Sequence, residues 1–162
     1  SDRERAEYDI LYGKTINFIG DSLFGANRPQ NWVDMFISKY NLNGENYGIS
    51  GCTLSACEGG ANPIVTRYDK LPDNDPDIVI FDEPTTGLHF YDVEKLLKSF
   101  DALLAKGHSI IVVEHNPDVI RAADWIIDLG PEAGDEGGNV VFAGTPSDLL
   151  SCDASYTSRY LR

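Results

Sequence analysis

Short apolar runs alternate along this chain with stretches whose apolar residues recur every third or fourth position. That alternation restricts the fold more than any other feature of the sequence. Residues 15–19, Thr-Ile-Asn-Phe-Ile, form an apolar run closed by Gly20-Asp21, which reads as a strand and its turn. Val33, Phe36, Ile37 and Tyr40 then repeat at helical spacing, and residues 46–50 read as a weaker second strand. Asn62-Pro63 is an N-cap followed by proline at the first helical position, with Ile64, Val65, Tyr68 and Leu71 continuing that helix. Residues 77–81 read as a buried strand bounded by Pro76 and Pro84. Asp92 is expected to cap a helix carrying the stripe Val93, Leu96, Leu97, Phe100, Leu103 and Leu104, ended by Gly107. Residues 109–113 follow as a fourth strand, Asn116-Pro117 opens a short helix, and residues 125–129 are a fifth strand. A glycine-rich turn at 134–138 leads to an edge strand near 139–143.

Strands separated by helices require parallel pairing through right-handed crossovers. The expected fold is therefore a three-layer α/β/α doubly wound parallel sheet, flavodoxin-like with strand order 2-1-3-4-5. The extra edge strand is added near 139–143, and residues 1–162 form a single domain. In this class, chemistry gathers where strands end at their carboxyl edge. The chain has no run of the ~20 apolar residues a membrane helix needs. Its first five residues, Ser-Asp-Arg-Glu-Arg, are too charged for a signal peptide, so a soluble, cytoplasmic protein is expected. A net charge of -13 repels phosphate backbones, which argues against nucleic acid as a partner. No membrane partner is expected, and the chain is expected to be a monomer, with a dimer as the alternative. Cys52 and Cys57 lack a second pair to complete a zinc site and read as free thiols, with a disulfide between them as the alternative.

Gly20-Asp21-Ser22-Leu23, directly after the first strand, resembles the nucleophile block of the GDSL or SGNH hydrolases. Residues 46–51, Asn-Tyr-Gly-Ile-Ser-Gly, look like that family's second block. The resemblance spans roughly residues 1–80 and implies Ser22 as nucleophile, with Gly51, or else Gly48, supplying an oxyanion amide. The rest of the family pattern is missing. Asp82-Glu83-Pro84 stands where a Gly-x-Asn-Asp block belongs, and no histidine follows His115. A serine without a base is a poor nucleophile, so Ser22 reads as a turn cap.

Residues 78–89, Ile-Val-Ile-Phe-Asp-Glu-Pro-Thr-Thr-Gly-Leu-His, are more distinctive. They resemble the Walker B strand and following loop of ABC-type ATPases, in the wording of the UvrA family of bacterial nucleotide excision repair. Residues 111–116 (Ile-Val-Val-Glu-His-Asn), 123–132 and 143–146 resemble the later strands of the same family, so the likeness covers about 77–162. It implies that Asp82 helps hold Mg²⁺, that Glu83 polarises the attacking water and that His115 senses the terminal phosphate. No Gly-x-x-x-x-Gly-Lys-[Ser/Thr] cradles phosphates and no Leu-Ser-Gly-Gly signature exists in the 162 residues. Mg²⁺ or ATP is accordingly expected to bind weakly, if at all. His89 and His108 read as a loop residue and a strand-edge residue.

One resemblance stops near residues 76–82, where the other starts. The expectation drawn from that junction is an engineered chimera of an SGNH-hydrolase-like and a UvrA-like fragment, folded and without evolved catalysis. A natural fusion or degenerate paralogue is the alternative origin. A vestigial serine esterase using Ser22, or a residual Mg²⁺–nucleotide binder using Asp82 and Glu83, is the alternative function.

Overall fold

The computed structural model describes residues 10–20, 31–48, 74–130 and 138–162, which fall into two compact units, Ser1–Glu114 and His115–Arg162. The helix expected from Asn62-Pro63 lies outside the described residues, as does most of the glycine-rich turn.

The first unit is built on a parallel sheet of three strands in the order β1-β2-β3, with β1 at Ile16–Ile19, β2 at Ile78–Asp82 and β3 at Ser109–Val113. Ile16 pairs with Ile78 and Phe18 with Ile80, so alternate residues of neighbouring strands share a face. On one face Ile16 and Phe18 pack with Val33 and Leu42, and Ile78 and Ile80 extend that cluster. Helix α1 (Trp32–Lys39) closes it, its rings Trp32 and Phe36 meeting Phe18 edge-on at 6.1 and 6.4 Å. Asn31 caps α1 by accepting a 2.8 Å bond from the Val33 amide, as the short polar side chain before an apolar stripe suggests. On the opposite face Phe81 meets Phe100 of helix α2 (Phe90–Ala105) at 4.9 Å between rings. Sheet and two helix layers thus sandwich a core whose centre is β1, buried along its whole length.

Helix α2 begins earlier than its expected cap. His89 is the N-cap residue and makes no side-chain capping bond, while Asp92 sits in the first turn, where the exposed N–H groups favour a carboxylate. Gly107, at φ +94°, provides the left-handed step that ends the helix, as expected.

Residues 43–46 run parallel to the outer edge of β1 through isolated bridges, Thr15 with Asn43 and Phe18 with Asn46. The Ile16 and Phe18 amides donate to the carbonyls of Asn43 (2.8 Å) and Glu45 (3.0 Å). Between these bonds Gly44 adopts φ +133°, and a β-carbon there would lie 2.0 Å from the Ile16 carbonyl oxygen. Asn17 is buried at 6% exposure, and its amide is satisfied by a reciprocal pair with Asn74 at 2.9 and 3.0 Å.

The expected flavodoxin-like layer of order 2-1-3-4-5 is not formed among the described residues, where parallel pairing stops at β3. The fifth strand, β4 (Ile126–Leu129), instead pairs antiparallel with β5 (Val140–Gly144) in a separate two-stranded sheet within the second unit. The residues between β4 and β5 are too few for a helical crossover, which takes a dozen or more, so the edge strand forms a hairpin with its predecessor.

Among the described residues of that unit there are also three short helices: α3 (Pro117–Ala122), α4 (Pro146–Leu149) and α5 (Tyr156–Leu161). Asn116, Thr145 and Ser155 cap them through their side chains. The Asp128 carboxylate of β4 accepts hydrogen bonds from Ser155 and Thr157, tying α5 to the hairpin. No helix among the described residues is long and apolar enough to cross a membrane.

Two expected outcomes test this architecture. Gly44→Ala should lower the free energy of unfolding, read from urea denaturation, by more than about 1 kcal/mol, because the new methyl group meets backbone rather than a flexible side chain. Asp77 accepts 2.7 Å and 2.9 Å bonds from the Lys14 ammonium and the Thr15 amide, joining the starts of β1 and β2. The Lys14 hydrogen bond, then the Thr15 amide, holds the Asp77 carboxyl below its ordinary range. Its stabilisation is therefore full above the ordinary aspartate value of about 3.9 and fades as pH falls through the depressed folded value. Asp77→Asn should lower the unfolding midpoint at pH 7, and the gap to the parent should close in a titration taken below pH ~4.

Candidate functional site

The carboxyl edge of the three-stranded sheet gathers the acidic residues that the sequence singled out. Asp82 is the last residue of β2, opposite Val113 of β3, and is buried at 7% exposure. Glu83 follows directly, is exposed, and leaves the strand in the left-handed region at φ +41°. That conformation costs a residue with a β-carbon of order 1 kcal/mol. Its amide still belongs to the sheet, donating 2.8 Å to the Val113 carbonyl. The twist therefore falls after the last ladder bond and turns the glutamate away from the strand line.

Residues 83–88 make two consecutive tight turns, closed by Thr86 N–H to Glu83 O at 3.1 Å and Leu88 N–H to Thr85 O at 2.9 Å. Thr86 also donates its hydroxyl to the Glu83 carboxylate at 3.3 Å. Gly87 takes φ +75° at the second turn. The loop is anchored by Glu114, the residue after β3. One oxygen of its carboxylate accepts both the Thr85 amide, at 2.8 Å, and the Thr85 hydroxyl. Glu114 was not among the residues singled out from the sequence, since it is 29 positions from Thr85 and nothing in either local pattern connects them.

The remaining candidates are distributed as follows. His115 is exposed and opens the second unit. Gly48 is buried, and its amide donates 2.9 Å to the Asn46 side chain, which occupies the donor an oxyanion hole would use. Ser22 and Gly51 lie outside the described residues, as do Cys52 and Cys57. His89 stacks in an exposed group with Phe90 and Tyr91 at the start of α2. His108 Nδ1 donates to the Pro76 carbonyl at 2.7 Å, a bond that joins the amino ends of β2 and β3.

Among the described residues no group of three or more His, Cys, Asp or Glu side chains comes together to hold a metal. A strand-end aspartate with an adjacent glutamate does match the way Mg²⁺ is usually held, by one or two carboxylates, with water and substrate phosphates completing the octahedron. The donor set is all oxygen and rigidly based, so the residues present fit that ion.

No family model matches the chain. It is similar to curated proteins named UvrABC system protein A. With that of Vibrio cholerae it is 42% identical over 137 residues, 85% of this chain and 14% of the relative. With that of Rickettsia conorii it is 54% identical over 115 residues, 71% of this chain and 12% of the relative. The crystal structure of UvrA2 from Deinococcus radiodurans superposes with a TM-score of 0.50 at 46% identity, covering 52% of this chain and 10% of that one. The chain thus spans a seventh or less of the length of these relatives.

These likenesses overturn the expectation of an engineered chimera. A match of 137 residues leaves at most 25 of the 162 outside it, so similarity to one protein runs through the 76–82 segment where two sources were expected to meet. They also give the GDSL or SGNH reading of the first half no support. The similarity points to a natural segment of UvrA type. The apparent junction arose because a parallel buried strand looks alike in many α/β families.

The left-handed Glu83 carries its own test. Glu83→Gly should be more stable than Glu83→Ala by about 1 kcal/mol in urea unfolding, since both lack the carboxylate and only one retains the β-carbon.

Proposed function

We propose that this chain supplies the metal-facing and water-activating part of an ABC-type ATP-hydrolysing site of UvrA kind, working within nucleotide excision repair. The single observation that carries this reading is the pair Asp82–Glu83. One carboxylate is buried at the strand end and the next is turned outward beside it, in a chain 42–55% identical to UvrABC system protein A. Asp82 is the ligand for the ion, held in place by burial. An ion held there would supply positive charge against the nucleotide phosphates. Glu83, exposed and fixed by its ladder amide, orients the attacking water and takes its proton. His115 is assigned as phosphate sensor on resemblance alone. The phosphate-cradling loop comes from outside these 162 residues, which contain no Gly-x-x-x-x-Gly-Lys-[Ser/Thr].

The test places residues 78–162 of this chain into the Rickettsia conorii UvrABC system protein A, in place of its matching segment, and follows phosphate release. The exchanged protein should hydrolyse ATP. Glu83→Gln in it should lower kcat by about 10²- to 10⁴-fold while nucleotide binding holds within a few-fold, the span expected for loss of a general base. The 162-residue chain by itself should release no phosphate. An exchanged protein whose Glu83→Gln form turns over at the parental rate would refute the assignment.

A further inference from the structure

We infer that Glu114 is a positioning residue for Glu83, acting through Thr85, and that the β3 end thereby sets the working geometry of the water-activating carboxylate. The inference rests on the ATPase reading above and names a residue which that reading does not use. Three facts carry it. Glu83 sits in a backbone conformation that its own residue type disfavours, so something outside it must hold the twist. Two ties to the same neighbouring strand bracket the twisted residue: its amide to Val113 O before the turn, and Thr85 to Glu114 after it. The second tie is double, because backbone amide and hydroxyl of Thr85 converge on one carboxylate oxygen. Two donors from one residue onto one charged acceptor fix both the position and the rotation of Thr85. With residues 83 and 85 both fixed to β3, Pro84 between them, itself buried, has little freedom left. Release of the Glu114 tie removes the hold on the far side of the twist, so that Glu83 can relax from the left-handed region and carry its carboxylate away from the reacting water.

The arrangement makes a chemical distinction that mutation can read. What Thr85 needs is an oxygen acceptor at that point, not a negative charge as such. Glu114→Gln retains the carbonyl-type oxygen, and Glu114→Ala removes it. In the exchanged protein Glu114→Ala should lower kcat by about 10- to 100-fold with the ATP KM within about two-fold, the scale of loss produced by a displacement near 1 Å. Glu114→Gln should recover most of that rate, Thr85→Ser should match the parent, and Thr85→Val should fall between. A merely structural role would instead shift KM and kcat together and would not be rescued by glutamine.

Amide hydrogen exchange on the intact 162-residue chain provides a readout independent of turnover. Glu114→Ala should speed exchange at Thr85 and Thr86 while β2 stays protected, and unchanged exchange there would overturn the clamp. Should Glu114→Ala fail to fold, Thr85→Val is read by the same exchange and rate measurements. Parental kcat in Glu114→Ala alongside an inactive Glu83→Gln would overturn this inference and leave the ATPase reading standing. Parental kcat in Glu83→Gln would instead remove the ATPase reading, and the exchange experiment would still decide whether the clamp exists.

Discussion

The geometry of the first unit depends on β2 being hydrogen-bonded along both of its edges. A strand paired on one side retains a free edge and can shift or fray, whereas one held between two parallel neighbours has its backbone groups satisfied and its register set twice. Ile78 is matched with Ile16 on one side and Ser109 on the other, and Phe81 with Ile19 and Val112. The strand can end only where its last partner ends, which places Asp82 opposite Val113 at the edge of the sheet. Burial of Asp82 follows from that pairing and from the helices packed on both faces, rather than from any property of the aspartate.

Against this fixed base, the loop at 83–89 is held by polar bonds. Its ties to β3 pass through the Val113 carbonyl and the Glu114 carboxylate, and further bonds run within the turn itself. Such a loop holds its shape with little apolar area, and so it depends strongly on each donor and acceptor. A buried or half-buried polar group that loses its partner costs more than the bond contributed when made. The unfavourable backbone of Glu83 is sustained by this network and by nothing in its own residue type.

Much of this could be read from the residues before any coordinates. The runs at 78–82 and 109–113 stood out as strands because each is short, continuous and rich in Ile and Val, although Ile111 and Val113 of β3 are exposed. Asn116-Pro117 marked the start of α3 because cap and ring act locally. The pairing of β4 was not legible in its own residues: Ile-Ile-Asp-Leu alternates equally well in a parallel or an antiparallel ladder. The short interval to residue 140 held the signal for a hairpin. Helices α4 and α5 have four and six residues, too few for a periodic stripe, and were not expected from the sequence. In the site, Asp82 and Glu83 stood out by adjacency. Glu114 did not, because its role is created by parallel pairing between β2 and β3, a long-range event with no local trace.

Gly44 and Glu83 both occupy positive φ, yet they face different futures under mutation. At position 44 every one of the nineteen alternatives brings a β-carbon into the Ile16 peptide, so neutral drift is closed there whatever the chemistry of the replacement. At position 83 the geometry would tolerate glycine, and relaxing selection for the carboxylate would let the backbone ease. The backbone should therefore accept replacement at position 83 and refuse it at position 44.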